Sequence, residues 1–380
     1  MDTAFARNGE VEIAYETFGA PGGQPLLLLN GLDYQMVWWP EALCTALAER
    51  GFHVARFDYR DSGLSTHFAA AVGGGPWRVL LAGARTPPYR GEDMVDDILA
   101  VQDALGWKSA HLLDVSMGAG MAQLTAMLHP ERVRALILIS GIPVGGNPLR
   151  MLPYLRLGTF ARLATRRYGP SREEQERMLV DVLSATYTST YPLDEGWARR
   201  TATESYDRRP PAPAARQRQL AAARAAKTPE DALARITAPT LVIHGDADPL
   251  VRPAASRALT RAISRRPYGD LSRHGPRPAP GLWSAALDEI SALVDQQGET
   301  SNPPGPTSDE DRVRGYPDRR PARKGLGGAD RPGRVPTLEP AVPRSLRADR
   351  RRLPAHTQNR PAERAHDDHQ AQDPGRQAER

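Results

Sequence analysis

A single cysteine, Cys44, stands in 380 residues, which excludes an intramolecular disulfide and any cysteine-based metal site. That thiol reads as a small buried apolar group on the helix after the first loop, in a chain suited to a reducing compartment. Aromatic residues are scarce at 6%, and no run approaches the roughly 18 apolar residues that a membrane span needs. The segment Met1 to Ala20 carries Asp2, Glu10, Glu12 and Glu16 and has no apolar signal-peptide core, so a soluble, cytoplasmic protein is expected. A phosphate-binding loop is also missing. Ala71-Val72-Gly73-Gly74-Gly75 lacks the Lys and Ser/Thr of a nucleotide site and reads as a connection. No histidine and carboxylate pair has metal-ligand spacing, so neither a metal nor a cofactor is expected.

Basic charge is in excess only at one end. Of the net charge of +5, four units fall in residues 296–380, where 17 basic side chains meet 13 acidic ones. The nearly neutral body offers no basic surface to track phosphates, which argues against a nucleic-acid partner and for a small, neutral one. The same C-terminal segment holds twelve prolines among Arg, Asp, Gln and Gly, with few aromatic or β-branched residues. It buries too little apolar surface to offset the entropy of ordering and is expected to be a disordered tail.

Upstream of it, strand-like and helix-like patterns alternate. Val11 to Phe18 alternates as a strand, Pro25 to Leu29 is a short apolar run suited to burial on both faces, and Trp39 to Gly51 has helical spacing. His53 to Asp58 (strand), Asp93 to Gly106 (helix), His111 to Val115 (strand), Gly118 to Leu128 (helix) and Arg134 to Ser140 (strand) repeat the alternation. The pattern predicts a doubly wound, mostly parallel sheet covered by helices on both faces. From Gly141 to about Lys227 the pattern turns to helices rich in Leu, Ala and Arg. A buried strand resumes within residues 236–244, and Trp283 to Val294 is a last amphipathic helix. The expected organisation is a core of residues 1–141 and 229–295, a helical cap over 142–228 and the tail over 296–380.

Chemistry first shows at the strand-to-helix junction His111-Leu112-Leu113-Asp114-Val115-Ser116-Met117-Gly118. A serine on a tight turn at the end of a buried strand has its hydroxyl pushed outward beside amide N–H groups at a helix N-terminus, which suits a nucleophile. The other reading of Ser116 is a helix N-cap. Gly118, two positions on, allows the helix to approach closely.

Four stretches in this order resemble the α/β-hydrolase superfamily over about residues 8–295: Leu29-Asn30-Gly31-Leu32, Arg56 to Ser65, the Ser116 turn, and His244-Gly245-Asp246-Ala247-Asp248-Pro249. Within it the chain is similar to bacterial esterases of the aclacinomycin methylesterase type. The resemblance implies hydrolysis of a small-molecule carboxylic ester, possible methyl esters included, through an acyl-enzyme. Ser116 would be the nucleophile and Asp248 the triad acid, with Asp246 as a rival, and the backbone N–H groups of Leu32 and Met117 would form the oxyanion hole. Asn30 reads as a loop-shaping residue, and Asp58, Arg60 and Asp61 as local braces of their loop. His53, His67, His111, His129 and His244 read as structural. Cap side chains Met151, Leu152, Tyr154 and Leu155 are expected to line the substrate pocket.

The chain departs from the superfamily pattern twice. Asp114 replaces the glycine usual two positions before the nucleophile, where a side chain strains the turn. In place of a Gly-x-Gly-His-like loop stands Arg265 to Pro280, with no strand pattern and only His274 as base. Back-translated with GC-rich codons and read one nucleotide out of step, that stretch regains a strand and a histidine loop, as two compensating frame changes would produce. The alternative to an esterase is therefore an impaired hydrolase fold that only binds a ligand or has no function.

Overall fold

The computed structural model describes residues 2–73, 79, 86–145, 148–187, 192–228, 232–263, 268–271 and 286–295. The expected tail, His274 and the start of the expected last helix lie outside the described residues. Met1–Thr307 form one compact unit.

Its centre is an eight-stranded sheet of order β1-β2-β4-β3-β5-β6-β7-β8. The strands are β1 (Ala4–Asn8), β2 (Val11–Phe18), β3 (Gln24–Leu29), β4 (Phe52–Phe57), β5 (Ala110–Val115), β6 (Val133–Ile139), β7 (Thr240–Gly245) and β8 (Tyr268–Leu271). β2 runs antiparallel to β1 and β4, and every other pairing is parallel. The helices between them are α1 (Glu41–Ala48), α2 (Gly91–Ala104) and α3 (Met117–Leu128). Then come α4 (Leu157–Thr165), α5 (Arg172–Ser184), α6 (Glu195–Arg208), α7 (Pro213–Ala225) and α8 (Ala254–Ala262). Residues 286–295 are helical as well.

The unbroken apolar runs of the central strands are explained by burial on both faces. Because side chains alternate, Leu27 and Leu29 of β3 join one core with Leu112, Leu136, Leu138 and Val242, packed against Met94 and Ile98 of α2 and Ala122 of α3. Leu26 and Leu28 point the other way and join Leu113, Val115, Ile137 and Ile243 under Cys44 and Leu47 of α1 and Leu287, Ile290 and Leu293. Burial pushes the Cys44 thiol up to about 12, so it stays a neutral, apolar-like group.

Two strands went unread in the sequence. β1 pairs with β2 across the two-residue turn Gly9-Glu10, where Gly9 has φ +61°. A glycine at the first turn position with positive φ is what a two-residue hairpin of right-handed twist needs. β8, in the stretch where no strand was expected, pairs in parallel with β7 from Val242↔Tyr268 to Gly245↔Leu271. Tyr-Gly-Asp-Leu has little strand propensity, and backbone pairing to the open edge of β7 accounts for a strand that no side-chain pattern announces.

Between β6 and β7 the chain is helical, as expected, from the 3-10 segment Pro148–Tyr154 through α7. α5 and α6 pack Leu179, Leu183, Ala198 and Ala202 against Met36, Val37 and Trp38, which follow β3. Among the described residues no helix is long and apolar enough to cross a membrane.

Candidate active site

β3 has β4 on one side and β5 on the other, so the chain reverses its winding between β3 and β5. In open α/β sheets such a reversal leaves a crevice beyond the carboxyl ends of the two strands. Ser116 follows β5 at that crevice, and Gly31 follows β3. A Cβ on Gly31 would lie 3.6 Å from the Ser116 Cβ, so the loop after β3 runs directly beside the serine.

Ser116 has φ +57° and ψ −112° at the N-terminal boundary of α3. A non-glycine residue in this region is strained by about 1–3 kcal/mol, and its surroundings must hold it there. The Ser116 N–H donates to the Ile139 carbonyl at 3.2 Å, fixing the turn to β6. The side chain makes no capping hydrogen bond to α3, which removes the N-cap reading, and it is exposed. Gly118 is required where it stands: a Cβ there would sit 2.5 Å from the Leu29 carbonyl oxygen and 2.8 Å from that of Asn30. The Met117 amide opens α3, where N–H groups have no intrahelical acceptor.

A cavity of about 590 Å³ opens over Ser116, lined also by Leu32, Met117 and Ser140. Its walls are mostly apolar, with Met121 and Leu124 of α3, Phe160 of α4, and Leu220, Ala223 and Arg224 of α7. Of the four side chains expected from the helical segment, Met151 and Leu155 line it, whereas Leu152 and Tyr154 do not. Phe160, Leu220 and Arg224 were missed, since helical periodicity does not tell which face meets a cavity.

Asp248 is fully buried and Asp246 is exposed. One Asp248 oxygen, Oδ1, accepts from the Leu250 N–H at 2.7 Å and the Val251 N–H at 2.9 Å, the work of a turn residue. The other, Oδ2, has no hydrogen-bond partner among the described residues. The Ser140 hydroxyl faces the carboxyl without closing a hydrogen bond to it. Burial raises the Asp248 pKa, and the two backbone N–H groups pull it back down. The acid loop is stitched to the cavity wall, for the Arg156 N–H donates to Leu250 O at 2.9 Å and the Arg252 N–H to Tyr154 O at 2.7 Å.

His244 lies 3.5 Å from Asp248 Oδ2 but has other work. Its Nε2–H donates to the Val251 carbonyl at 3.1 Å, and its Nδ1 shares a hydrogen bond with the Ser256 hydroxyl at 2.6 Å. No described histidine lines the cavity. His274 is outside the described residues, so the geometry brings Ser116 and the oxyanion candidates together and leaves the base unplaced. Among the described residues no three His, Cys, Asp or Glu side chains cluster as a metal site would need.

Asn30 shapes its loop, its Nδ2 donating to Gln35 O at 2.9 Å. Asp58, Arg60 and Asp61 brace more than their own loop. Asp58 accepts locally from the Leu64 N–H at 3.0 Å but also from Arg208 at 2.6 Å, while Asp61 accepts from Arg218 at 2.7 and 2.8 Å. Arg60 binds both oxygens of Asp97 on α2. Short-range sequence reading predicts local bonds only and has no access to partners some 150 residues away.

Asp114 is fully buried, and by the alternation of β5 it points to the side of Leu112. Neither of its carboxyl oxygens has a side-chain hydrogen-bond partner among the described residues, and neither has the nearby Tyr59 hydroxyl. Burial lifts the Asp114 pKa well above the ordinary carboxylate value, only partly offset by the Ile139 amide, which favours the protonated acid in the fold.

The family described as the alpha/beta hydrolase fold matches residues 24–271. Rhodomycin D methylesterase DauP of Streptomyces sp. (strain C5) is 32% identical over 141 residues, and its counterpart DnrP of Streptomyces peucetius 31% over 141 residues. Each alignment takes in 37% of this chain and 43% of the relative, so the chain spans less than half the length of these relatives. Among solved structures, the esterase RhEst1 from Rhodococcus sp. ECU1013 has a TM-score of 0.60 at 20% identity, covering 78% of this chain and 100% of its own. The enol-lactonase from Burkholderia xenovorans LB400 has a TM-score of 0.56 at 22% identity, covering 77% and 100%. At such identities the likeness is one of fold. The family match over most of the sheet, together with the strand order and the strained serine turn after β5, means that the chain belongs to the α/β-hydrolase fold family.

Proposed function

We propose that the chain is a serine hydrolase that cleaves a carboxylic ester of a small molecule through an acyl-enzyme. Ser116 attacks the ester carbonyl, and His274 takes the hydroxyl proton and returns it to the leaving alcohol. Asp248 orients that histidine through its open Oδ2, and the Leu32 and Met117 amides receive the developing oxyanion. Water then attacks the acyl-enzyme with the same base, releasing the acid. The observation that carries this reading is Ser116 itself: positive φ, no capping bond, and an exposed hydroxyl under a large apolar cavity.

Residues 142–228 would serve as the cap of that cavity. An ester with an apolar body suits the walls, and the two methylesterase relatives make a methyl ester a reasonable first substrate class. No nucleic-acid or membrane partner is needed for this chemistry.

A fluorophosphonate probe tests the reading without a substrate guess. The protein, Ser116→Ala and His274→Ala are treated with probe and the adduct is located by mass spectrometry. Labelling at Ser116 that is lost in both variants is the expected result. A folded protein that takes no label would instead be an impaired hydrolase fold that only binds a ligand or has no function, the reading favoured by Asp114 in the serine turn.

A further inference from the structure

The residue after Leu32 is held from a distance. Asp33 has φ +67°, a left-handed conformation that a non-glycine residue keeps only under restraint. The restraint comes from α7. The Asp33 N–H donates to Gln219 Oε1 at 3.0 Å, while Arg216 Nε and Nη2 donate to Asp33 Oδ2 at 2.7 and 2.6 Å. Gln219 is buried and turns its other end to the core, its Nε2 donating to the Arg60 carbonyl at 2.9 Å. One side chain thus spans the loops after β3 and β4.

We propose that Gln219 and Arg216 are positioning residues for the oxyanion hole: by fixing Asp33 and the Leu32–Asp33 peptide they pin the C-terminal side of Leu32, and so hold the preceding Gly31–Leu32 peptide with its Leu32 N–H aimed at the reacting carbonyl. The inference rests on the oxyanion role proposed for Leu32. Rotation about the Asp33 N–Cα bond towards an ordinary negative φ would turn the Leu32–Asp33 peptide, and the preceding Gly31–Leu32 peptide, which carries the Leu32 N–H, would lose its anchor on that side. The Arg216 ion pair and the Gln219 acceptor both oppose that rotation, and neither touches the cavity. The same helix supplies Leu220 and Ala223 to the cavity wall. α7 therefore sets the place of the substrate and the aim of the oxyanion donor together, which makes hydrolysis sensitive to how α7 is seated.

The test uses Arg216→Met, Arg216→Lys and Gln219→Met in the full chain, with p-nitrophenyl butyrate as substrate. Two inhibitors are added: an alkyl trifluoromethyl ketone, which forms the tetrahedral adduct, and the matching methyl ketone, which does not. Arg216 is partly exposed, so its variants are expected to fold. Arg216→Met should lower kcat roughly 10- to 100-fold with KM nearly unchanged, because a misaimed donor weakens the transition state and leaves ground-state binding alone. Trifluoromethyl ketone affinity should fall by a similar factor, methyl ketone affinity should hold, and Arg216→Lys should recover part of the loss. Gln219→Met should move the same quantities the same way. If the wild type turns over substrate and Arg216→Met leaves kcat and trifluoromethyl ketone affinity unchanged, the positioning role is wrong. A loss shared equally by both ketones would overturn it too, as it would mark a general loosening of the cavity. A wild type that neither turns over nor labels at Ser116 would instead remove the proposed hydrolase function.

Discussion

At the scale of single residues, the serine turn was readable because each position has a steric or chemical demand. Gly118 is dictated by two carbonyl oxygens that no Cβ can approach, and Asn30 by the loop carbonyl it binds. The two aspartates of the loop after β7 are alike in the sequence, and only burial separates them: Asp248 is sealed with one oxygen unspent, Asp246 faces solvent. Asp248→Asn keeps the shape of the side chain but replaces an acceptor with an amide, and a histidine paired with it takes the wrong tautomer. We expect ester turnover to fall by roughly 10⁴-fold in Asp248→Asn, by analogy with the loss seen when a triad aspartate is so replaced, and by less than about twofold in Asp246→Asn. Initial rates with p-nitrophenyl butyrate decide it. Equal losses in the two variants would mean that the acid has been misassigned. Asp33 was invisible at this scale, since a left-handed aspartate and its distant arginine leave no local trace.

At the scale of elements, what could be read followed from burial on both faces. β3, β5, β6 and β7 are short apolar runs because each feeds both cores, and the sequence pattern found them within a few residues. The edge strands β1 and β8 have no such run; one rests on a hairpin turn and the other on pairing with β7. The close seat of α3 under the loop after β3 is the element-level feature most exposed to test. In Gly118→Ala the new methyl would lie 2.5 Å from the Leu29 carbonyl oxygen, so α3 or the loop must move. Overpacking of this kind costs about 1–3 kcal/mol, which a lowered urea midpoint would show. Because that loop continues to Leu32, the rate of fluorophosphonate labelling should drop as well. A variant with wild-type midpoint and labelling rate would mean that α3 is not fixed by this contact.

At the scale of the whole molecule, burial shifts protons in two opposing directions. The folded chain keeps a proton on Asp114, whose pKa stands well above its ordinary 3.8, and refuses one at His111, pushed by burial and by Arg134 from 6.5 to about 3. Above 3.8 the unfolded chain has released the Asp114 proton while the fold still holds it, so this group makes stability fall as pH rises, until its folded pKa is reached. Below 6.5 the unfolded chain binds a proton at His111 that the fold rejects, so this group makes stability fall as pH drops towards 3. Each slope is about 1.4 kcal/mol per pH unit. Where the two windows overlap the slopes oppose each other. Urea unfolding of the wild type, Asp114→Asn and His111→Phe from about pH 4 to about pH 8 separates them. Asp114→Asn should gain on the wild type as pH rises, and His111→Phe should gain only as pH falls below 6.5. Curves that stay parallel to the wild type would show that neither group is held away from its ordinary protonation. Neither effect is written in the local sequence: an aspartate before a serine and a histidine at a strand start acquire their shifts only from the core that closes over them.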